Sequence, residues 1–196
     1  QRRSAELAQA IATCDIVHVT SFLDPATPAL VAAILSEART HNPALVVSLD
    51  PGMAWVAPGG EGFSRLMRQA NILHLNAEEF AKLGGVDAVR RIGPTSAPNW
   101  TIVARTHDSA SIYSAAPDGT VTRSSLATAP LPQEISDATG AGDTFCGGFL
   151  YAFAAHPTEP LEAAGLGFAL ARAKIAHDGP LTAELAHKTL DGTKIW

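Results

Sequence analysis

Four short apolar runs, Ile16-Val17-His18-Val19, Leu45-Val46-Val47-Ser48-Leu49, Ile72-Leu73-His74-Leu75 and Trp100-Thr101-Ile102-Val103-Ala104, recur along the first half of the chain with helix-length stretches between them. Short runs rich in Val, Ile and Leu, without strict polar alternation, are strands covered on both faces. Connections long enough for a crossover helix make successive strands parallel, because a hairpin needs only a few residues. The pattern predicts an α/β fold, a doubly wound, mostly parallel sheet flanked by helices. Helices are expected over Ser4–Thr13 with Leu7, Ala8 and Ile11 inward, from the turn Asp24-Pro25-Ala26-Thr27-Pro28 to about Thr40, and around Phe63 to Gln69. Ser111 to Ser114 and Thr120 to Arg123, joined across Pro117-Asp118-Gly119-Thr120, read as a late hairpin at one edge. No internal repeat interrupts the chain, and residues 1–196 are expected to form a single domain.

Ligands of such sheets bind outside the carboxyl ends of the strands. Three strand ends are polar: Asp50-Pro51-Gly52, Asn76-Ala77-Glu78-Glu79, and Ala104-Arg105-Thr106-His107-Asp108-Ser109. Asp50 reads equally as a turn residue or as a substrate-side carboxylate. Asn76 reads as an N-cap with Glu79 closing a capping box, ahead of a helix stopped by Gly84-Gly85. His18 sits inside its strand run and reads as a core or strand-end histidine held by a hydrogen bond. Pro58-Gly59-Gly60-Glu61-Gly62 lacks both the Lys-Ser/Thr of a P-loop and a strand just before it, so it reads as a surface loop.

The second half turns on Asp137-Ala138-Thr139-Gly140-Ala141-Gly142-Asp143-Thr144-Phe145-Cys146-Gly147-Gly148. Phe145, Phe149 and Phe153 recur every fourth position, the period of a helix with one face on a core. A glycine turn that opens a helix presents backbone N–H groups at the positive end of the helix dipole, an anion site that needs no basic side chain. Asp143 adds a negative charge beside it. That combination suits a site that deprotonates a hydroxyl next to an incoming phosphoryl group. The proline-punctuated Leu126–Ser136 delivers the chain to this stretch. After it, the helix is expected to end at His156-Pro157 and Thr158 to cap another with Leu161, Leu166, Leu170 and Ala173 inward. That helix runs to His177-Asp178-Gly179-Pro180, and Thr182 starts a last short one.

The string Asp137 to Leu150 resembles the C-terminal signature of the ribokinase-like (PfkB) carbohydrate and nucleoside kinases, with Ala138 where that family more often has Thr or Pro. The resemblance implies an ATP-dependent phosphotransferase acting on an alcohol group of a sugar or nucleoside, with Asp143 as the base and the backbone of Gly140, Ala141 and Gly142 as the anion hole. It implies that Asn76 and Glu79 organise Mg2+ and its waters around the nucleotide phosphates. Thr106, Ser109 and Gly179 would border the nucleotide, Asp50 the substrate, and Asp137 and Thr139, as in some members, a monovalent cation such as K+. Where the family commonly has Thr-x-Gly-x-x-Gly, both glycines are replaced in Ala104–Ser109, so hydroxyls stand where backbone would approach a phosphate. His107 and Asp108, adjacent in an extended loop, are expected to point apart. The resemblance reaches only the C-terminal part of the family's fold. The family's N-terminal portion, with a Gly-Gly motif, lid strands and the usual acceptor contacts, has no counterpart in this sequence. A second reading follows from that and from the lost glycines: a kinase-like binding or interaction module without catalysis. A nicotinamide enzyme is disfavoured, because no G-x-G-x-x-G follows a first strand.

Composition narrows the partners. The formal net charge is −5, and Arg2-Arg3 and Arg90-Arg91 are isolated basic pairs, which argues against a nucleic-acid surface. No apolar run approaches the ~20 residues of a membrane span. Cys14 and Cys146 show no C-x-x-C or Cys/His metal spacing and read as reduced core thiols, which favours the cytoplasm. The expected partner is a small sugar or nucleoside, and the resemblance allows a homodimer.

Overall fold

The computed structural model describes residues 2–24, 26–92, 99–116, 118–128, 135 and 137–192. Pro117 of the expected hairpin turn and most of the Leu126–Ser136 segment lie outside the described residues. Six strands, β1 (Ile16–Thr20), β2 (Val46–Asp50), β3 (Ile72–Asn76), β4 (Trp100–Arg105), β5 (Ser109–Ala115) and β6 (Val121–Ala127), bond to one another in that order as one mixed sheet flanked by helices. β1 pairs with β2 in parallel from Ile16↔Val46 to Thr20↔Asp50, and β2 with β3 through Ser48↔Ile72 and Leu49↔Leu73. The Thr101 N–H donates to the Asn71 carbonyl at 2.7 Å, so β4 starts beside the start of β3. The turns 106–108 and 116–120 are too short for a crossover, and β4, β5 and β6 therefore form an antiparallel meander.

The chain divides into two compact units. The first comprises the chain through Ala104 together with Tyr113–Arg123. It contains helices α1 (Arg2–Ala12), α2 (Thr27–His41), α3 (Gly52–Val56), α4 (Glu61–Gln69), α5 (Ala77–Leu83) and α6 (Gly85–Ile92). Its core gathers Leu35, Leu49, Trp55, Leu66, Leu73 and Ile102, all fully buried, so β2, β3 and the middle of β4 are covered as their composition demands, whereas β1, at the sheet edge, is only partly buried and leaves His18 and Thr20 exposed. Asn71 extends the ladder at the strand starts: its side-chain oxygen accepts from the Val47 N–H at 2.9 Å and from the Arg39 guanidinium. Arg39 also donates to Gln69 at 3.2 Å and to the Leu45 carbonyl at 3.3 Å, tying α2 to the end of α4. His18 has the expected hydrogen bond, with Nδ1 3.0 Å from the Ser48 hydroxyl, but it is exposed in the middle of β1 and not in the core.

Several expectations for this unit are corrected. Leu7 is 48% exposed while Ala8 is fully buried, because the apolar stripe of α1 runs through Ala8, Ile11 and Ala12, leaving Leu7 a step round the helix. Cys14 is exposed: its N–H closes the end of α1 onto the Ile11 carbonyl at 3.0 Å, which places it in the connecting turn. α3, five residues long, is too short for a hydrophobic period to register, while Arg90 and Arg91 lie on the helix α6.

The second unit comprises Arg105–Ile112 and the chain from Ser124 onward, with α7 (Ala141–Ala155), α8 (Pro160–Ile175) and α9 (Ala183–Gly192). α7 and α8 meet backbone to backbone at Gly148 and Gly167, where a Cβ on Gly148 would lie 3.0 Å from the Gly167 Cα and one on Gly167 only 2.8 Å from the Phe145 carbonyl. Any side chain there would push the helices apart. Phe145 then packs edge-on against Phe168 at 4.9 Å and stacks with Phe149 at 6.4 Å. Glu159, not Thr158, is the N-cap of α8, since Pro160 fills the first helical position and needs no N–H partner. Leu166 and Leu170 are buried as expected, Leu161 and Ala173 partly so. Thr182 does cap α9, accepting from the Leu185 N–H at 3.2 Å.

Candidate active site

The entrance to α7 is built by three successive turns. Asp137 Oδ1 accepts from the Thr139 N–H at 2.8 Å, the Ala138 carbonyl accepts from the Ala141 N–H at 3.2 Å, and Gly140 adopts φ 74°, ψ 6°. A residue with a Cβ would be strained in that left-handed conformation by roughly 1–2 kcal/mol. Gly140 is the N-cap, with no side chain capping the helix, and the first intrahelical bond runs from the Thr144 N–H to the Gly140 carbonyl at 2.9 Å. The N–H groups of Ala141, Gly142 and Asp143 therefore have no acceptor within the helix. Ala141 is turned back onto Ala138, so Gly142 and Asp143 supply the amides that head the helix. Asp143 itself is exposed in the first turn, where the helix dipole favours a carboxylate.

A cation that the sequence reading passed over stands beside this entrance. Arg105, the last residue of β4, lies with its guanidinium carbon 5.1 Å from the Phe145 ring centroid, and a Cβ at position 142 would fall 3.1 Å from its Nη2. The stacking fixes a positive charge next to the Gly142 backbone. The signal for Arg105 in the sequence is a basic residue at a strand's carboxyl end.

Thr106 and Ser109, expected at the nucleotide, knit the β4–β5 turn. The Thr106 N–H donates to the Ser109 carbonyl at 2.8 Å, the two hydroxyls lie 2.7 Å apart, and the Thr106 hydroxyl donates to Asp108 at 2.9 Å. Thr128 donates its N–H and its hydroxyl to the Asp108 carbonyl at 2.8 and 2.9 Å, and Arg172 of α8 donates to the Thr128 hydroxyl at 2.7 Å. His107 and Asp108 do not point apart; their side chains approach to 3.5 Å on the exposed tip of the turn. Gly179 has φ 88° in the turn after α8, a conformation that suits glycine there.

The Asp137 carboxyl is anchored by a lysine of α8. Lys174 Nζ donates to its Oδ2 at 2.7 Å and to its carbonyl at 2.9 Å. That ammonium first, with the Thr139 N–H and hydroxyl adding to it, holds the Asp137 pKa down at about 2.

In the first unit, Asn76 and Glu79 form the expected capping box: Asn76 Oδ1 accepts from the Glu79 N–H and Glu79 Oε2 from the Asn76 N–H, both at 2.9 Å. Glu79 is 4% exposed. Asp50, half-buried, closes β2 in register with Thr20. Asp50, Asn76 and Arg105 are thus each the last residue of a strand, where an α/β sheet receives its ligands. Among the described residues no group of three His, Cys, Asp or Glu side chains is placed to hold a metal. Magnesium does not require one, since it keeps several waters and takes one or two protein oxygens plus substrate phosphates. Asn76 Oδ1 and Glu79 Oε2 are already acceptors in the capping box, so a role toward such an ion would run through water. Asp50, Asn76 and Glu79 belong to the first unit, and Thr106, Ser109, Asp137, Thr139, Gly140 to Asp143 and Gly179 to the second.

Comparison with solved structures places this mixed sheet flanked by helices among ribokinase-fold kinases. A ribokinase from Giardia lamblia superposes with a TM-score of 0.71 at 16% identity over 96% of this chain and 62% of its own. A protein described as a probable sugar kinase from Rhizobium etli CFN 42 gives 0.70 at 21% identity over 94% of this chain and 56% of its own. A nucleoside kinase from Methanocaldococcus jannaschii gives 0.67 at 19% over 95% and 61%. The chain therefore spans roughly three-fifths of the length of these proteins. No curated protein matches it. The model of the pfkB family of carbohydrate kinases matches residues 1–186, and the chain belongs to that family.

Proposed function

We propose that the chain carries the phosphotransfer machinery of an ATP-dependent kinase acting on an alcohol group of a sugar or nucleoside. What supports the reading most is one juxtaposition: an exposed carboxylate, Asp143, in the first turn of a helix whose leading amides have no capping side chain. Asp143 takes the proton of the acceptor hydroxyl, the freed oxygen attacks the γ-phosphorus, and the bond from that phosphorus to the β-bridging oxygen breaks to release ADP. The amides of Gly140, Ala141 and Gly142 receive the equatorial oxygens. Gly142 is the donor this step leans on most, because Ala141 must share its N–H with the Ala138 carbonyl. Arg105 offsets the charge on the donor phosphates, which fits a turn that has exchanged its two glycines for Thr106 to Ser109. Asn76 and Glu79 would hold Mg2+ through water, and the ion when bound spreads the charge of the phosphates. Asp50 is assigned to the acceptor and Gly179 to the edge of the nucleotide. The reading takes residues 1–196 as one ribokinase-like domain, cytoplasmic and able to act as a homodimer.

A positioned base is worth ~10²–10⁴ in rate. The test is ATP consumption across a panel of sugars and nucleosides with Mg2+, paired with calorimetry of Mg-ATP binding. Turnover on at least one alcohol supports the reading. Absence of both heat and competition by ADP leaves a kinase-like binding module instead, the reading favoured by the loss of the two glycines from 104–109.

A further inference from the structure

The loop that leads into α7 is pinned from within its own unit by a lysine. Lys174, in the last turn of α8, has a side chain only 4% exposed, and its ammonium reaches both the carboxylate and the carbonyl of Asp137. The other carboxylate oxygen of Asp137 accepts from the Thr139 N–H at 2.8 Å. A buried ammonium is stable only when it is paired and hydrogen-bonded, and here both conditions are met by one residue of the loop.

The same oxygens are those a monovalent cation beside Asp137 and Thr139 would need. They do not fit one: each carboxylate oxygen of Asp137 already has a donor, its carbonyl has another, and a full positive charge stands 2.7 Å away. A second cation at that distance would be repelled. We infer that Lys174 is an internal substitute for the monovalent cation, a positioning residue that fixes the Asp137–Gly140 loop, and with it the entrance of α7, whatever the salt. A primary ammonium offers charge and oxygen contacts like those of potassium, and its tether to α8 removes the need to bind an ion from solution.

The inference makes the protein indifferent to which monovalent cation is present. Thermal unfolding in KCl, NaCl and tetramethylammonium chloride at equal ionic strength should give the same Tm for the wild type. Lys174→Met keeps the apolar stem but removes the charge; its Tm should fall in tetramethylammonium and recover selectively in KCl. Should Lys174→Met fail to fold, Lys174→Gln, which retains a donor, replaces it. A wild-type Tm that rises in KCl over tetramethylammonium would overturn the inference, as would a folded variant that gains no preference for K+. These readings need no substrate, so they stand apart from the fate of the phosphotransfer assignment.

Discussion

Two helices of this chain begin in opposite ways. At α5 the Asn76 and Glu79 side chains satisfy the leading amide and the cap amide reciprocally, and the carboxylate is buried in doing so. At α7 the cap is a left-handed glycine with no side chain, and the first carboxylate faces solvent. The first entrance is closed by its own side chains; at the second no side chain caps the leading amides. The contrast is between a helix end capped by its own side chains and one capped by none, and each of the following results would sharpen or break the roles proposed for them.

The largest effect is expected at Asp143. Asp143→Asn should lower phosphotransfer by about 10²–10⁴-fold with Tm unchanged, read by turnover beside thermal unfolding. Near-normal turnover would remove the base from the account. Arg105→Ala comes next. Loss of a charge-assisted contact, worth about 1.5–3 kcal/mol, should raise the KM for ATP by roughly ten- to a hundredfold while kcat for the acceptor changes less. Asn76→Ala should behave oppositely, costing about 1 kcal/mol of stability in denaturant titration through the lost cap and raising the Mg2+ concentration needed for half-maximal rate. A loss of activity there as complete as at Asp143, without loss of stability, would erase the distinction between the two ends.

The smallest effect is a pH dependence. The Asp137 carboxyl is depressed from its ordinary 3.8 to about 2, with the Lys174 ammonium as the main cause. The unfolded chain therefore takes up this proton first as the pH falls. The stability the group contributes is complete above pH about 4 and drains away toward pH about 2. Denaturant midpoints across that window should fall less steeply for Asp137→Asn than for the wild type.

How much of this was legible follows from the range of the interactions. The capping box spans three residues, the Phe145–Phe149 ridge four, and β2 and β3 are each one apolar run, so these features are written locally and the structure bears them out; β1 departs because its place at the sheet edge leaves it half covered. The fold class was legible for the same reason, since crossover spacing alone makes β1, β2 and β3 parallel. Lys174 bonds a residue 37 positions earlier, and no local pattern announces it; from the sequence it is one more cation near the end of an apolar helix. Arg105 reaches Gly142 across a comparable gap. Leu7 and Cys14 went astray on a smaller scale, because a narrow buried stripe and a connecting turn both depend on what the helix packs against.

The most direct measurement follows the backbone amides of the open entrance. In 1H–15N spectra of the folded chain titrated with Mg2+ and a non-hydrolysable ATP analogue, the Gly142 and Asp143 amide resonances should move saturably, while amides in the middle of α7 stay in place. Binding of the analogue that leaves both resonances where they began would contradict the account.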